Sequence, residues 1–135
     1  MHLSLIPAHG IDRAWKDGAD SLAEACKTSG GEIEGPQLKM ILARGERNLV
    51  AMVDEGKPVG WAVFRIEQLP NCRAFYITDL VAPHAGFEHY WTQVLEMAAG
   101  YGCSRVRCAA RPAQARLYRQ KLGFTPVYEV LEVLT

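Results

Sequence analysis

Residues 48–66 read NLVAMVDEGKPVGWAVFRI. The apolar run Asn48 to Val53 and the Val-, Trp- and Phe-rich run Val59 to Ile66 flank Asp54-Glu55-Gly56-Lys57-Pro58, a turn by composition. Two strands joined so tightly pair antiparallel, and this hairpin is the strongest structural signal in the chain. A second turn at Pro70-Asn71 leads into a strand over Arg73 to Ala82, stopped by Pro83. Strict alternation along it predicts Phe75, Ile77, Asp79 and Val81 on one face.

Working outward, Phe87, Tyr90, Trp91, Val94, Leu95, Ala98 and Tyr101 trace an amphipathic helix closed by Gly100 and Gly102. Ser104 to Ala109 reads as a strand, Pro112 to Leu122 as a helix ending at Gly123, and Val127 to Leu134 as a final strand. On the N-terminal side, His2 to Ile6 is a short strand ended by Pro7. Ile11, Trp15, Ala19, Leu22, Ala23 and Cys26 fall at helical spacing, predicting one helix over Ile11 to Lys27. Pro36 opens a second short helix through Leu38, Ile41 and Leu42, which stops at Gly45. The predicted order is β-α-α-β-β-β-α-β-α-β: an α/β (α+β) chain with a mixed, mostly antiparallel sheet flanked by helices.

With 135 residues, no repeat and no Ser/Pro-rich linker, residues 1–135 are expected to form one domain. No apolar run approaches the roughly 20 residues of a membrane span, and the start MHLSLIPAHGID lacks the basic and apolar segments of a signal peptide. A cytoplasmic location is expected, and no membrane partner. Cys26, Cys72, Cys103 and Cys108 form no CxxC pair and are expected to be free thiols, with no metal site. His84 and His89, with Asp79 or Glu88, have no recognised ligand spacing.

Fifteen Lys+Arg balance fifteen Asp+Glu, which excludes a globally basic nucleic-acid binder. The balance hides an asymmetry: no acidic residue lies between Met97 and Tyr128, a stretch holding Arg105, Arg107, Arg111, Arg116, Arg119 and Lys121. Such a block suits phosphate groups, or else a solvated face paired to the acidic first half. Phe87, Tyr90 and Trp91 beside it suggest a stacking platform for single-stranded nucleic acid, but their helical spacing makes core packing the expected reason for most of them.

Three motifs carry a resemblance. Asp54-Glu55-Gly56-Lys57-Pro58-Val59-Gly60, Leu80-Val81-x-Pro83 and Leu117-Tyr118-Arg119-Gln120-Lys121-Leu122-Gly123-Phe124 occur in that order over nearly the whole chain. In this order and spacing the chain resembles the GNAT family of acyl-CoA-dependent N-acetyltransferases. The resemblance implies a cleft between the strand ending near Val81 and the strand beginning near Ser104. It implies that the amides of Leu80 and Val81 bind the pantetheine arm of acetyl-CoA and polarise its thioester, and that Tyr118 donates a proton to the departing thiolate. Asp79 is the best-placed carboxylate for a general base, or else an ordinary strand-end ion-pair partner. Gly86, Phe87, Glu88, His89, Tyr90 and Trp91 stand where the family's phosphate loop opens the crossover helix, and Arg116 is the cation expected to assist.

The loop departs from the family pattern. Counted from Pro83, its Arg/Gln, Gly and Gly/Ala positions fall on Gly86, His89 and Trp91, and none matches. The Asn that often precedes the last helix is replaced by Arg111. Two functions are therefore expected as alternatives. One is an N-acetyltransferase acting on the amine of a small molecule or a protein. The other is a catalytically inactive GNAT-fold structural or interaction protein with protein partners in an assembly, including a bacteriophage virion component.

Overall fold

A computed structural model of the chain describes residues 1–84 and 86–135. The hairpin forms as predicted and is the centre of a five-stranded sheet in sequence order, built from β1 (His2–Ile6), β2 (Asn48–Asp54), β3 (Lys57–Gln68), β4 (Arg73–Val81) and β5 (Arg105–Cys108). The pairs β1·β2, β2·β3 and β3·β4 are antiparallel, whereas β4·β5 is parallel because a helical crossover separates them.

Alternation along the strands puts a core on each face. Leu49, Ala51, Trp61 and Val63 face α1 (Ile11–Lys16), α2 (Leu22–Cys26) and α3 (Gly35–Ala43), where Ile11, Leu22, Leu38 and Leu42 are buried. Val50, Met52, Phe64 and Phe75 face α4 (Trp91–Gly100), which contributes Val94 and Ala98. Phe64 and Phe75 stack at 4.1 Å between ring centroids, with the edge of Tyr101 at 5.4 Å from Phe64.

Four expectations are corrected. The first helix is not continuous over Ile11 to Lys27: it breaks at Gly18, whose φ of 123° no helix tolerates, and resumes through a 3-10 turn at Ala19–Ser21 into α2. The crossover helix begins as a 3-10 turn at Phe87–Tyr90 before α4 starts. On β4, Phe75 and Ile77 do share a face, but Asp79 and Val81 lie on the other one. The cause is an extra residue: Val63 pairs with Asp79 and Phe64 with Ile77, so Thr78 bulges and reverses the parity of the residues after it. Leu80 thus joins Phe75 and Ile77 on the α4 side.

The fourth correction concerns the C-terminus. Val127 to Leu134 form no strand; the segment follows α5 (Pro112–Leu122) with every residue exposed. Strand-forming side chains are insufficient without a neighbouring strand to take the backbone hydrogen bonds, and none of the described strands pairs with it.

The hairpin also fixes where β4 ends. A Cβ on Gly60 would stand 2.8 Å from the Val81 carbonyl oxygen and 2.9 Å from Pro83 Cδ, so only glycine lets β3 run beneath the chain leaving β4. Gly60→Ala is expected to cost about 1–3 kcal/mol, the scale of overpacking, read as a lower urea midpoint with an unchanged slope.

Candidate functional site

β4 and β5 pair over Ala74–Ile77 and Arg105–Cys108 and then separate. β4 continues on the β3 side as far as Val81, so its other edge beyond the Thr78 bulge lacks a strand partner among the described residues. That edge opens a shallow cleft with a cavity volume of about 90 Å³ between Thr78, Asp79 and Leu80 on one side and Cys108, Ala109 and Tyr118 on the other. The Arg111 guanidinium donates to the Thr28 carbonyl at 3.0 Å and ties the start of α5 to the end of α2, closing a further wall.

The bulge also turns Asp79 into the layer beneath α2. Its carboxylate accepts from the Thr78 hydroxyl at 2.8 Å and the Cys26 thiol at 3.8 Å, and Arg47 Nη1 lies 3.7 Å away. Asp79 is buried, and this set of partners is what makes burial of a carboxylate tolerable. Burial, with Asp79 adding to it, pushes the Cys26 thiol up to about 11, and burial alone pushes Cys108 to about 11. Both thiols stay protonated and unreactive at neutral pH. Tyr118 is half-buried, and burial followed by the nearby Cys108 raises its phenol above the usual tyrosine range. It therefore keeps its proton at neutral pH and remains a donor.

The segment opening the crossover is arranged differently from a bare row of amides. Phe87 and Tyr90 are buried, and the Tyr90 hydroxyl donates to the Val53 carbonyl at 3.2 Å, so both serve the core. His89 is exposed and points to no cleft partner, and Arg116 is exposed on α5. Trp91 packs edge-on to Phe87 at 5.8 Å and against Phe124 at 5.2 Å, with Tyr118 5.7 Å beyond Phe124. The Glu88 carboxylate folds back over Gly86, where a Cβ would stand 2.5 Å from its Oε2. It accepts from its own backbone N–H and lies 3.6 Å from Lys121 Nζ, and these contacts, the amide first, hold its pKa below the usual range.

The structure thus brings Asp79, Leu80, Phe87 and Tyr118 to one cleft, whereas Val81, Gly86, Glu88, His89, Tyr90, Trp91 and Arg116 do not line it. Sequence reasoning missed Arg47 as the partner of Asp79, and Glu88 as an anion already seated at the helix start. It also missed the bulge, whose signal was present: Phe75 and Ile77 are odd-numbered and Leu80 is even. Among the described residues no three His, Cys, Asp or Glu side chains gather as a metal site, and no helix is long and apolar enough to cross a membrane.

No protein-family model matches the sequence, and no curated protein does. Solved structures do match over the whole chain. A probable acetyltransferase superposes with a TM-score of 0.70 at 13% identity, covering 100% of this chain and 97% of its own. Ribosomal-protein-alanine N-acetyltransferase from Brucella melitensis biovar Abortus 2308 gives 0.69 at 11%, covering 100% of both. An aminoglycoside acetyltransferase from an uncultured soil metagenomic sample, in complex with sisomicin, gives 0.68 at 14%, covering 98% of this chain and 93% of its own. The motifs, the mixed five-stranded sheet and these likenesses agree that the chain has the fold of the GNAT acetyltransferases.

Proposed function

We propose that the chain is an N-acetyltransferase that moves an acetyl group from acetyl-CoA to an amine. The observation that carries this reading is the unpaired edge of β4 beyond Thr78, facing Tyr118 across a cleft. An amide-bearing pantetheine arm matches a free strand edge, because the edge offers N–H and C=O groups in alternation. Leu80 and Val81 hold that arm. When bound, the coenzyme supplies an activated thioester, and the chain's own groups do the rest. The amides of Leu80 and Val81 stabilise charge developing on the thioester oxygen. Tyr118 holds a proton for the departing sulfur. Asp79, engaged by Thr78, Cys26 and Arg47, would take one proton from the acceptor ammonium so that the free amine can attack, and the second proton shed by that nitrogen as the C–N bond forms and the C–S bond breaks would return to Tyr118, which gives its own to the departing sulfur.

The other end of the cleft favours a second reading, a GNAT-fold protein without activity that serves as a structural or interaction component, one in a phage virion included. The loop is degenerate in this reading: the Glu88 carboxylate and the Trp91 ring take the place at the helix start where a pyrophosphate would meet bare amides. An internal anion on those amides repels a second one.

Titrating acetyl-CoA into the purified chain by calorimetry separates the two. Micromolar binding is expected for the enzyme, and no heat at millimolar coenzyme removes that reading. If turnover with an amine is found, Tyr118→Phe should lower kcat by about 10²–10⁴ with KM unchanged. No fall in kcat from this group is expected between neutral pH and the ordinary tyrosine range, because its folded pKa lies above that range. Glu88→Ala and Trp91→Gly should each tighten coenzyme binding by roughly tenfold; unchanged affinity in folded variants would show that neither group is the obstacle.

A further inference from the structure

Polar groups around the sheet are mostly answered from within the chain. At the edge of β1, the Leu3 amide donates to Gln93 Oε1 at 2.9 Å, and Gln93 Nε2 donates to the Met1 carbonyl at 3.1 Å. Among the described residues, the side-chain nitrogens buried without a hydrogen-bond partner are Arg65 Nε and Arg107 Nε. The two belong to one row. Arg65 of β3 is paired with Tyr76 of β4, and Tyr76 with Arg107 of β5. Phe64, Ile66, Phe75, Ile77, Val106 and Cys108 pack on the α4 side. Alternation therefore turns Arg65, Tyr76 and Arg107 to the other face, the one that carries α1, α2 and α3.

Those helices cover only part of that face. Trp61 and Val63 are buried with them, whereas Arg65, Tyr76 and Arg107 are half-buried. The row also adjoins the cleft. Tyr76 and Arg107 lie two residues before Thr78 and Ala109, which line it. At roughly 3.3 Å per residue, with the bulge between them, Tyr76 stands about 7–10 Å along β4 from Asp79.

The charges of the row are unequally matched. Arg47 lies 3.7 Å from Asp79, and Arg65 donates to Glu67 at 3.1 Å while its guanidinium covers the Tyr76 ring at 4.5 Å. No acid meets Arg107 among the described residues. Arg105, on the same face one row away, is exposed. Within the row one guanidinium is uncompensated, which suits a singly charged acid better than a phosphate dianion. A planar carboxylate also matches the fixed fork of a guanidinium. Burial, opposed by Arg65 and assisted by the nearby Tyr128, raises the Tyr76 phenol above its ordinary range, so it is a neutral donor at physiological pH.

We propose that Tyr76 and Arg107, with Arg65 beside them, bind a carboxylate carried by the acceptor, so that the acceptor is an amine whose acid group lies roughly 7–10 Å from its nitrogen. The amine end, at Asp79, rests on the acetyltransferase reading; the acid end rests on the row. Amines carrying several positive charges and no acid are disfavoured by the same arginines.

Titrating the coenzyme-free chain with ε-aminocaproate, and with the corresponding carboxamide, which keeps the amine and lacks the acid, tests this by NMR. The acid is expected to bind roughly tenfold tighter than the carboxamide, shifting the backbone amides of Tyr76 and Arg107. Arg107→Gln should remove most of that preference with an unchanged circular dichroism spectrum. Equal binding of the two compounds, no binding of either at tens of millimolar, or a preference that survives Arg107→Gln overturns the proposal. Coenzyme binding without any acid preference overturns this proposal alone. An acid preference without coenzyme binding supports the carboxylate site and removes acetyl transfer.

Discussion

One extra residue in β4 organises the molecule. Because Thr78 opposes nothing on β3, the strand keeps its pairing with β3 but changes which side chains face which layer. Without that change Asp79 would point into the layer of Phe64, Phe75 and Phe87, on the face away from Arg47. With it, the carboxylate reaches Arg47 and the Cys26 thiol. The same distortion ends the parallel pairing at Ile77 and Cys108 and so creates the cleft. A buried charge and a binding groove are two results of a single local irregularity.

Much of the architecture was legible because it depends on local chemistry. The hairpin at Asp54 to Pro58, the helix over Pro112 to Leu122 and its glycine cap, and the stop at Pro83 follow from turn residues and spacing. Tyr118 was legible because it sits in a recurring sequence motif. The failures share a different character. Gly18 is tolerable in a helix by propensity alone, and its break answers the packing of the following turn near Trp61. Arg47 lies far from Asp79 in sequence and meets it only after β2 and the helices are in place. Glu88 is expected from the sequence among the residues of the phosphate-loop segment. That its carboxylate seats on its own amide beside Lys121 is a conformational fact that composition does not contain.

The cationic C-terminal block also changes meaning once placed on the fold. Three of its six members are already engaged or enclosed. Lys121 meets Glu88, Arg111 meets the Thr28 carbonyl, and Arg107 has a buried nitrogen without an acceptor. Two of these contacts knit α5 to the rest of the protein, which matters because α5 buries no side chain completely and has little apolar anchorage. These exposed contacts add modestly to the packing of Leu122 on the core and of Phe124 against Trp91 and Tyr118, which places the helix over the cleft.

The contact of Gln93 with β1 has a bearing beyond the helix it secures. A sheet with two free edges can stack head to tail without limit, whereas a sheet with one sealed edge can add neighbours on one side only. By capping Leu3 and reaching the Met1 carbonyl, a single amide side chain occupies the start of the β1 edge, so a strand arriving there would have to displace it.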